Sequence, residues 1–412
     1  MEKPARPPYT ESPEGYPVGI MEAAARLNRE YMPWDTLRVR ELARYSALEL
    51  WRAMALLRRG TRSTVSVGGS EFSWNVTPGM LNSLHELDMK HTGGRVFGHK
   101  LNRHSRRAFA VSSAMEEAVG SALISGCMIQ AKSVKKHIRE DRDPKNEYER
   151  IAMNTYRLLG FARSKADSEL TPGLLEEMNR VATGLEEVSR TEMPFLPEAH
   201  TREPDLTAFP PEKIKKAVSD VCAFARNGSV HPLVRAFGIE YMILRIQPFR
   251  TGNGRTARAA ASWCLARNGY EIDEFLSISG IRRSTQATYQ KAFMLSEAEG
   301  DDMTYAISFG LEAMVSAVSA FLAYIDRKAR ETDDILTGMS LADLNIRQRA
   351  VLSDLVKTGN GMTVEEVASK HQVSYQTARS DLLLLLTRGL VVKGARDGHK
   401  DTYIVPGKDA ET

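Results

Sequence analysis

The residues best placed to do chemistry lie in one stretch, Arg245-Ile246-Gln247-Pro248-Phe249-Arg250-Thr251-Gly252-Asn253-Gly254-Arg255-Thr256-Ala257-Arg258. A strongly helix-forming run, Ala259-Ala260-Ala261-Ser262-Trp263-Cys264-Leu265, follows, so Gly252-Asn253-Gly254 falls where a loop turns into a helix N-terminus. Glycines at such a turn accept positive φ and let a ligand come close to the backbone. The free N–H groups and dipole of a helix start favour an anion. Arg255 and Arg258, three residues apart, add two planar, permanently charged phosphate donors. Together these features predict a cradle for phosphate.

The same residues resemble the signature of the Fic family, His-Pro-Phe-x-Asp/Glu-Gly-Asn-Gly-Arg-x-x-Arg. Pro248, Phe249, Gly252, Asn253, Gly254, Arg255 and Arg258 match it, whereas Gln247 stands at the histidine and Thr251 at the acidic position. In that family the histidine takes the proton from a Ser, Thr or Tyr hydroxyl attacking the α-phosphate of ATP, and the acidic residue holds magnesium. The resemblance thus implies ATP or a related nucleotide as ligand, with Tyr289 at the place of an aromatic near the base. A glutamine amide has no useful basicity near neutral pH, and loss of a general base typically costs about 10²–10⁴-fold in rate. Threonine offers a neutral hydroxyl to a cation that prefers anionic oxygen, so no protein metal ligand is expected. The expectation is a phosphate cradle that has lost ordinary AMP transfer (AMPylation).

A second family feature, Ser-x-x-x-Glu-Gly/Asn on a helix before the core, is similar to Val111-Ser112-Ser113-Ala114-Met115-Glu116-Glu117. The match rests on Ser112 and Glu116, with Glu117 replacing the small residue. It implies an inhibitory glutamate, Glu116, paired with Arg258 in the seat of a nucleotide γ-phosphate. An Arg–carboxylate fork is short and bidentate enough to compete with phosphate.

The remaining chain must position these groups. The sequence has 412 residues, room for two or three domains, and a formal charge of +4, too small to announce nucleic acid by itself. Cys127, Cys222 and Cys264 are far apart in apolar surroundings and read as buried thiols of a reducing compartment. No apolar run reads as a membrane span and the proline-rich start lacks a signal-peptide core, so the chain reads as cytoplasmic with no membrane partner.

Residues 1–20 read as a flexible leader and 21–110 as a helical region. Within it lie one amphipathic helix over Thr36 to Arg59 and a small hairpin around Gly68-Gly69. Residues 111–330 read as the Fic-type domain, with helices over Asn146–Ala162, Thr171–Gly184, Ile281–Glu297 and Thr304–Ala329. His231-Pro232 reads as a helix start. Glu192 to Pro211, rich in proline, falls where the family has a target-registering flap, but its composition argues against ordered strands. Lys132, Lys135, Lys136, His137, Arg139 and Arg142 form a basic run that reads as a solvated helix face.

After a charged linker at 331–345, residues 346–406 give three helices and a strand–turn–strand, which resembles a winged helix-turn-helix. That resemblance implies DNA as a partner, with Tyr375, Gln376, Thr377 and Arg379 toward bases and Arg396, His399 and Lys400 toward phosphate. The expected fold class is mainly α: a Fic-type helical domain with a small β-hairpin flap, plus the C-terminal module. Three functions follow in order: a nucleotide-binding pseudoenzyme acting through DNA, an enzyme with altered chemistry, and a homodimeric interaction scaffold.

Overall fold

The protein was analysed as a computed structural model describing residues 2–8, 16–42, 44–92, 103–191, 195–196, 201–338, 344–358, 361–394 and 401–406. It divides into two compact units, Met1–Gly98 with Ala110–Val318, and His99–Phe109 with Ser319–Thr412. The fold is mostly helical with a small antiparallel hairpin, as the sequence implies.

The first unit begins with α1 (Val18–Arg29), the single turn α2 (Trp34–Leu37) and α3 (Ala47–Arg59). The sequence reading ran one helix from Thr36 to Arg59. The chain instead restarts at Ser46, whose hydroxyl accepts from the Glu49 N–H while the Glu49 carboxylate accepts from the Ser46 N–H. Such a reciprocal box fixes a helix start more firmly than apolar spacing alone. Strands β1 (Ser63–Val67) and β2 (Ser70–Trp74) form the expected hairpin, with positive φ at Gly68 and Gly69. Next come α4 (Pro78–Thr92), α5 (Arg103–Ile124), α6 (Ala131–Arg139), α7 (Glu147–Ser164), α8 (Pro172–Thr183) and α9 (Pro211–Ala225). Asn146 and Thr171 cap α7 and α8 through their side chains.

At the centre lie α10 (Pro232–Ile246) and α11 (Asn253–Arg267). Helix α10 is buried from Leu233 to Leu244, and α11 from Gly254 to Leu265. Helices buried on every side have no room for a polar face, so the polar residues kept there must be satisfied inside. His231 starts α10 by accepting from the Leu233 N–H, and its Nε2 lies 3.1 Å from an Asp88 carboxylate oxygen.

Where one helix was expected over Ile281–Glu297, Thr285 separates α12 (Ile278–Ser284) from α13 (Gln286–Ala298). Helix α14 (Thr304–Gly338) continues through the start of the stretch expected as a linker. Its part Thr304–Arg327 is long and apolar enough to cross a membrane by composition, which corrects the sequence reading, and 56% of the window concerned is buried within the protein.

In the second unit α15 (Ile346–Thr358), α16 (Val364–His371) and α17 (Tyr375–Thr387) pack on a sheet of β3 (Met362–Thr363), β4 (Val392–Lys393) and β5 (Thr402–Ile404), ordered β3-β5-β4. Val351, Leu352, Leu355, Val367, Ala378, Leu382, Leu385, Val391 and Tyr403 form its core. Thr363 and Glu366 make a capping box for α16, and Ser374 caps α17. Arg347 and Gln348 both bond to the buried Asp381, joining α15 to α17.

Candidate functional site

The signature loop connects the two central helices. Gln247 ends α10 in the left-handed region at φ 50°, and Gly252 starts α11 at φ 74°. A Cβ at Gly252 would meet Thr183 Cγ2 at 2.8 Å, so glycine is required there for space as well as for φ. Asn253 closes the loop on itself: its Oδ1 accepts from the Phe249 N–H and its Nδ2 donates to the Phe249 carbonyl, both at 2.9 Å. Asn179 of α8 donates to the Thr251 carbonyl and to Thr256. The cradle is therefore a rigid turn, held from within and from α8.

The two arginines point different ways. Arg255 Nη1 donates to the Ala182 carbonyl at the end of α8. Arg258, 4% exposed, donates through Nε to Ser121 Oγ and through Nη2 to the Ser121 carbonyl and Ser125 Oγ. Nη1 and Nη2 also form a two-pronged fork to one carboxylate, Glu203, at 2.9 and 2.8 Å. Burial lowers the affinity of this guanidinium for its proton, but the Glu203 charge outweighs that and holds it above its ordinary value.

This geometry revises the expected pairing. Glu116 is half exposed on α5 and bonds Lys135, while Ser112 is exposed; neither is bonded to Arg258. One helical stretch further on, Ser121-Ala122-Leu123-Ile124-Ser125-Gly126 repeats the Ser-x-x-x spacing with serine in the glutamate's place, and it is this stretch that touches Arg258. Residues four apart share a helix face, which is the signal that would have found Ser121 and Ser125. Glu203 had no such signal, being one acid in an irregular proline-rich segment.

That segment crosses the site. Ser189 bridges Phe249 in antiparallel fashion, Arg190 N donates to the Pro248 carbonyl, and Leu196 N donates to the Arg250 carbonyl. Arg202 N donates to the Ile124 carbonyl, and Gln247 Nε2 donates to the Leu206 carbonyl at 3.2 Å. No regular strand forms among the described residues of 184–210, in keeping with the proline content. Tyr289, fully buried, reaches Glu203 with its hydroxyl at 3.3 Å, so it lines the Arg258 seat. Burial and the neighbouring Glu203 charge push that phenol well above its ordinary pKa.

Beside the cradle lies a cavity of about 340 Å³ whose lining includes Ser125, Tyr148, Thr183, Leu185, Thr251 and Arg255. A larger cavity of about 590 Å³ lies over Arg58, Glu299, Asp301 and Asp302, where each carboxylate already has a partner. It holds none of the signature glycines. The magnesium implied by the Fic resemblance does not fit these residues: position 251 supplies a neutral hydroxyl. Among the described residues no group of three or more His, Cys, Asp or Glu is placed to hold a metal.

In the second unit Tyr375, Gln376 and Arg379 are exposed on the first turn of α17. Thr377 is half buried and its hydroxyl is engaged by Ser374, so it serves the helix cap. Arg396, His399 and Lys400 lie outside the described residues.

A search of the curated proteins found no match. A Fic family protein from Desulfovibrio desulfuricans G20 is similar at TM-score 0.52 and 18% identity, over 81% of this chain and 98% of that one. A substituted fragment of Fic-1 from C. elegans is similar at TM-score 0.50 and 14% identity, over 74% and 86%. At these identities the likeness is one of fold. Residues 169–265, from before α8 to near the end of α11, match the model of the Fic/DOC family. That span holds the cradle, Gln247 and the segment bearing Glu203.

Proposed function

We propose that the protein binds the phosphate chain of a nucleotide in the Gly252–Arg258 cradle, has lost ordinary AMP transfer, and acts as a ligand-responsive regulator that contacts DNA. Fic family proteins generally transfer nucleotide-derived groups to proteins, and the chemistry for that transfer is what this site lacks. The observation that carries the reading is the pairing of an intact anion seat with an amide where a base is needed. Arg258, Ser125, Tyr289 and the α11 start converge on one anion, while the side chain at position 247 donates to the Leu206 carbonyl. An amide in that place can orient a hydroxyl but cannot take its proton. The adjoining cavity has the size of a small-ligand pocket and would take the rest of the nucleotide. The exposed first turn of α17 and the three-helix, three-strand plan of its unit support a winged helix that reads duplex DNA.

Titration calorimetry of the full chain with ATP tests the ligand. Binding is expected, and Arg258→Ala is expected to weaken it at least tenfold. No affinity for ATP would remove the ligand reading. With labelled ATP the protein should not label itself, and robust incorporation would show that another group supplies the missing base.

A further inference from the structure

We propose that the cavity of about 590 Å³ between α3, β2 and the turn from α13 to α14 is a second anion site, suited to a small phosphate ester or diphosphate and separate from the signature cradle.

Its charged groups fall into two layers. In the inner layer the acids are engaged: Asp301 by Tyr241 and Arg245, Asp302 by Tyr31 and Thr304, Glu299 by Arg58 and Tyr305, and Glu297 by the Thr207 N–H. Arg58 and Arg245 are the cations of this layer, and both side chains are mostly enclosed. The outer layer is basic. Arg6, Arg59 and Arg62 line the same cavity and are exposed. Arg6 is brought there by the start of the chain, where the Ala5 N–H donates to Asp35 Oδ1 at 3.1 Å. Among the described residues Arg6 and Arg59 make no ion pair, and Arg62 has one exposed partner, Glu71. An exposed pair of that kind is weak and gives way to a better partner. The opening therefore offers a ligand guanidinium groups, which match phosphate oxygens in a planar fork. A cation would find the carboxylates already bonded.

Two further observations mark a built site rather than a patch of surface charge. Ser73, 6% exposed, lines the cavity, and its hydroxyl bonds nothing in the protein. Its backbone is fixed on both sides, the N–H donating to the Asp301 carbonyl and the carbonyl accepting from the Met303 N–H. A polar group so enclosed is ordinarily hydrogen-bonded, and a phosphate oxygen would accept from it. Gly300, at φ 77°, has nothing within 4 Å of an added Cβ, so the turn beneath the arginines stays open to close approach. The volume lies within the range of about 300–1,000 Å³ usual for small-ligand sites. Trp51, Ala55, Pro7 and Pro8 supply apolar wall for the organic part of such a ligand.

Titration calorimetry of the full chain with inorganic pyrophosphate tests the site. Arg59→Glu should weaken binding about tenfold or more. Arg26→Glu, the same charge change at an exposed position on α1 outside the cavity lining, should leave it unchanged. Ser73→Ala removes a hydroxyl that the fold does not use, so thermal unfolding should stay the same while affinity falls about threefold or more. The same titration on Arg258→Ala separates the two sites, since the component lost there belongs to the cradle and the one lost in Arg59→Glu to this cavity. Equal losses in Arg26→Glu and Arg59→Glu would reduce the rim to diffuse charge and overturn the proposal. Pyrophosphate binding untouched by both Arg59→Glu and Ser73→Ala would overturn it as well, and leave the cradle as the place of binding. No binding of pyrophosphate at all would do the same for this cavity.

Discussion

At the start of α11 every polar side chain is bonded inside the protein, whereas at the start of α17 Tyr375, Gln376 and Arg379 are turned out to solvent. The caps differ in the same sense. Helix α17 begins at Ser374, whose hydroxyl caps it locally, as suits a helix end facing water. Helix α11 begins at Gly252 with no side-chain cap, because the space a side chain would fill belongs to Thr183 and Asn179. A site held from within ties binding to folding, while a site on a face leaves the two separable.

The sharpest way to break that contrast is a matched pair of arginine truncations. Arg258→Ala takes the arginine partner from the largely enclosed Glu203 and from two serines, so urea unfolding should show a loss of about 3 kcal/mol. Arg379→Ala, on an exposed position, should cost under about 0.5 kcal/mol. Its effect should fall on duplex affinity and reduce the salt slope by about one contact. Equal stability losses would mean that the two helix starts are not built differently.

Buried acids in the two units predict opposite pH behaviour. Burial pushes Glu299 up to about 7, against the Arg58 charge that favours its ionised form. A carboxyl raised in the folded state adds stability at low pH that is lost as pH climbs from the ordinary carboxylate range through about 7. In Asp381 burial also raises the pKa, but the bonds from Arg347 and Gln348 outweigh it and hold the group below its ordinary value. Its contribution is present above the ordinary range and is lost as pH falls below it. Glu299→Gln should therefore flatten the stability profile between about pH 5 and 7.5, by about 2–3 kcal/mol across that window. Asp381→Asn should flatten it only on the acid side. A profile indifferent to Glu299→Gln would remove the first half of the contrast.

A third pair compares glycines with similar φ and different surroundings. Gly252, at φ 74°, has Thr183 within 2.8 Å of an added Cβ, while Gly389, at φ 69°, has nothing within 4 Å. Gly389→Ala should cost only the backbone strain, about 1 kcal/mol, and Gly252→Ala about 2 kcal/mol or more because its neighbours must also move. Thermal unfolding of both variants measures the difference.

The sequence revealed these regions to different depths, for physical reasons. The cradle was legible because its glycines and arginines answer local needs: a positive φ, close packing on α8, a charge at a helix start. Helices α16 and α17 were legible through their caps at Thr363 and Ser374, which are also local. The break at Ser46 was hidden because Leu37, Leu42 and Leu48 kept an apolar rhythm across it. The division at Thr285 was hidden in the same way. Glu203 was out of reach because its role depends on contacts to residues 55, 78 and 86 positions away, which no local pattern encodes.

The smallest expected effect bears on the region where sequence and structure disagree most. Glu116 was expected in the Arg258 seat, yet its carboxylate is half exposed and bonded to Lys135 on α6. An exposed pair of that kind contributes under about 1 kcal/mol. Glu116→Ala should therefore change unfolding by less than about 0.5 kcal/mol and leave ATP affinity where it was. Glu203→Gln, in the same assay, removes the charge now forked to Arg258 and should tighten binding. If Glu116→Ala tightened ATP binding instead, the carboxylate guarding Arg258 would be the one on α5, and the contrast between a seat closed by the irregular segment and a solvated α5 surface would fail.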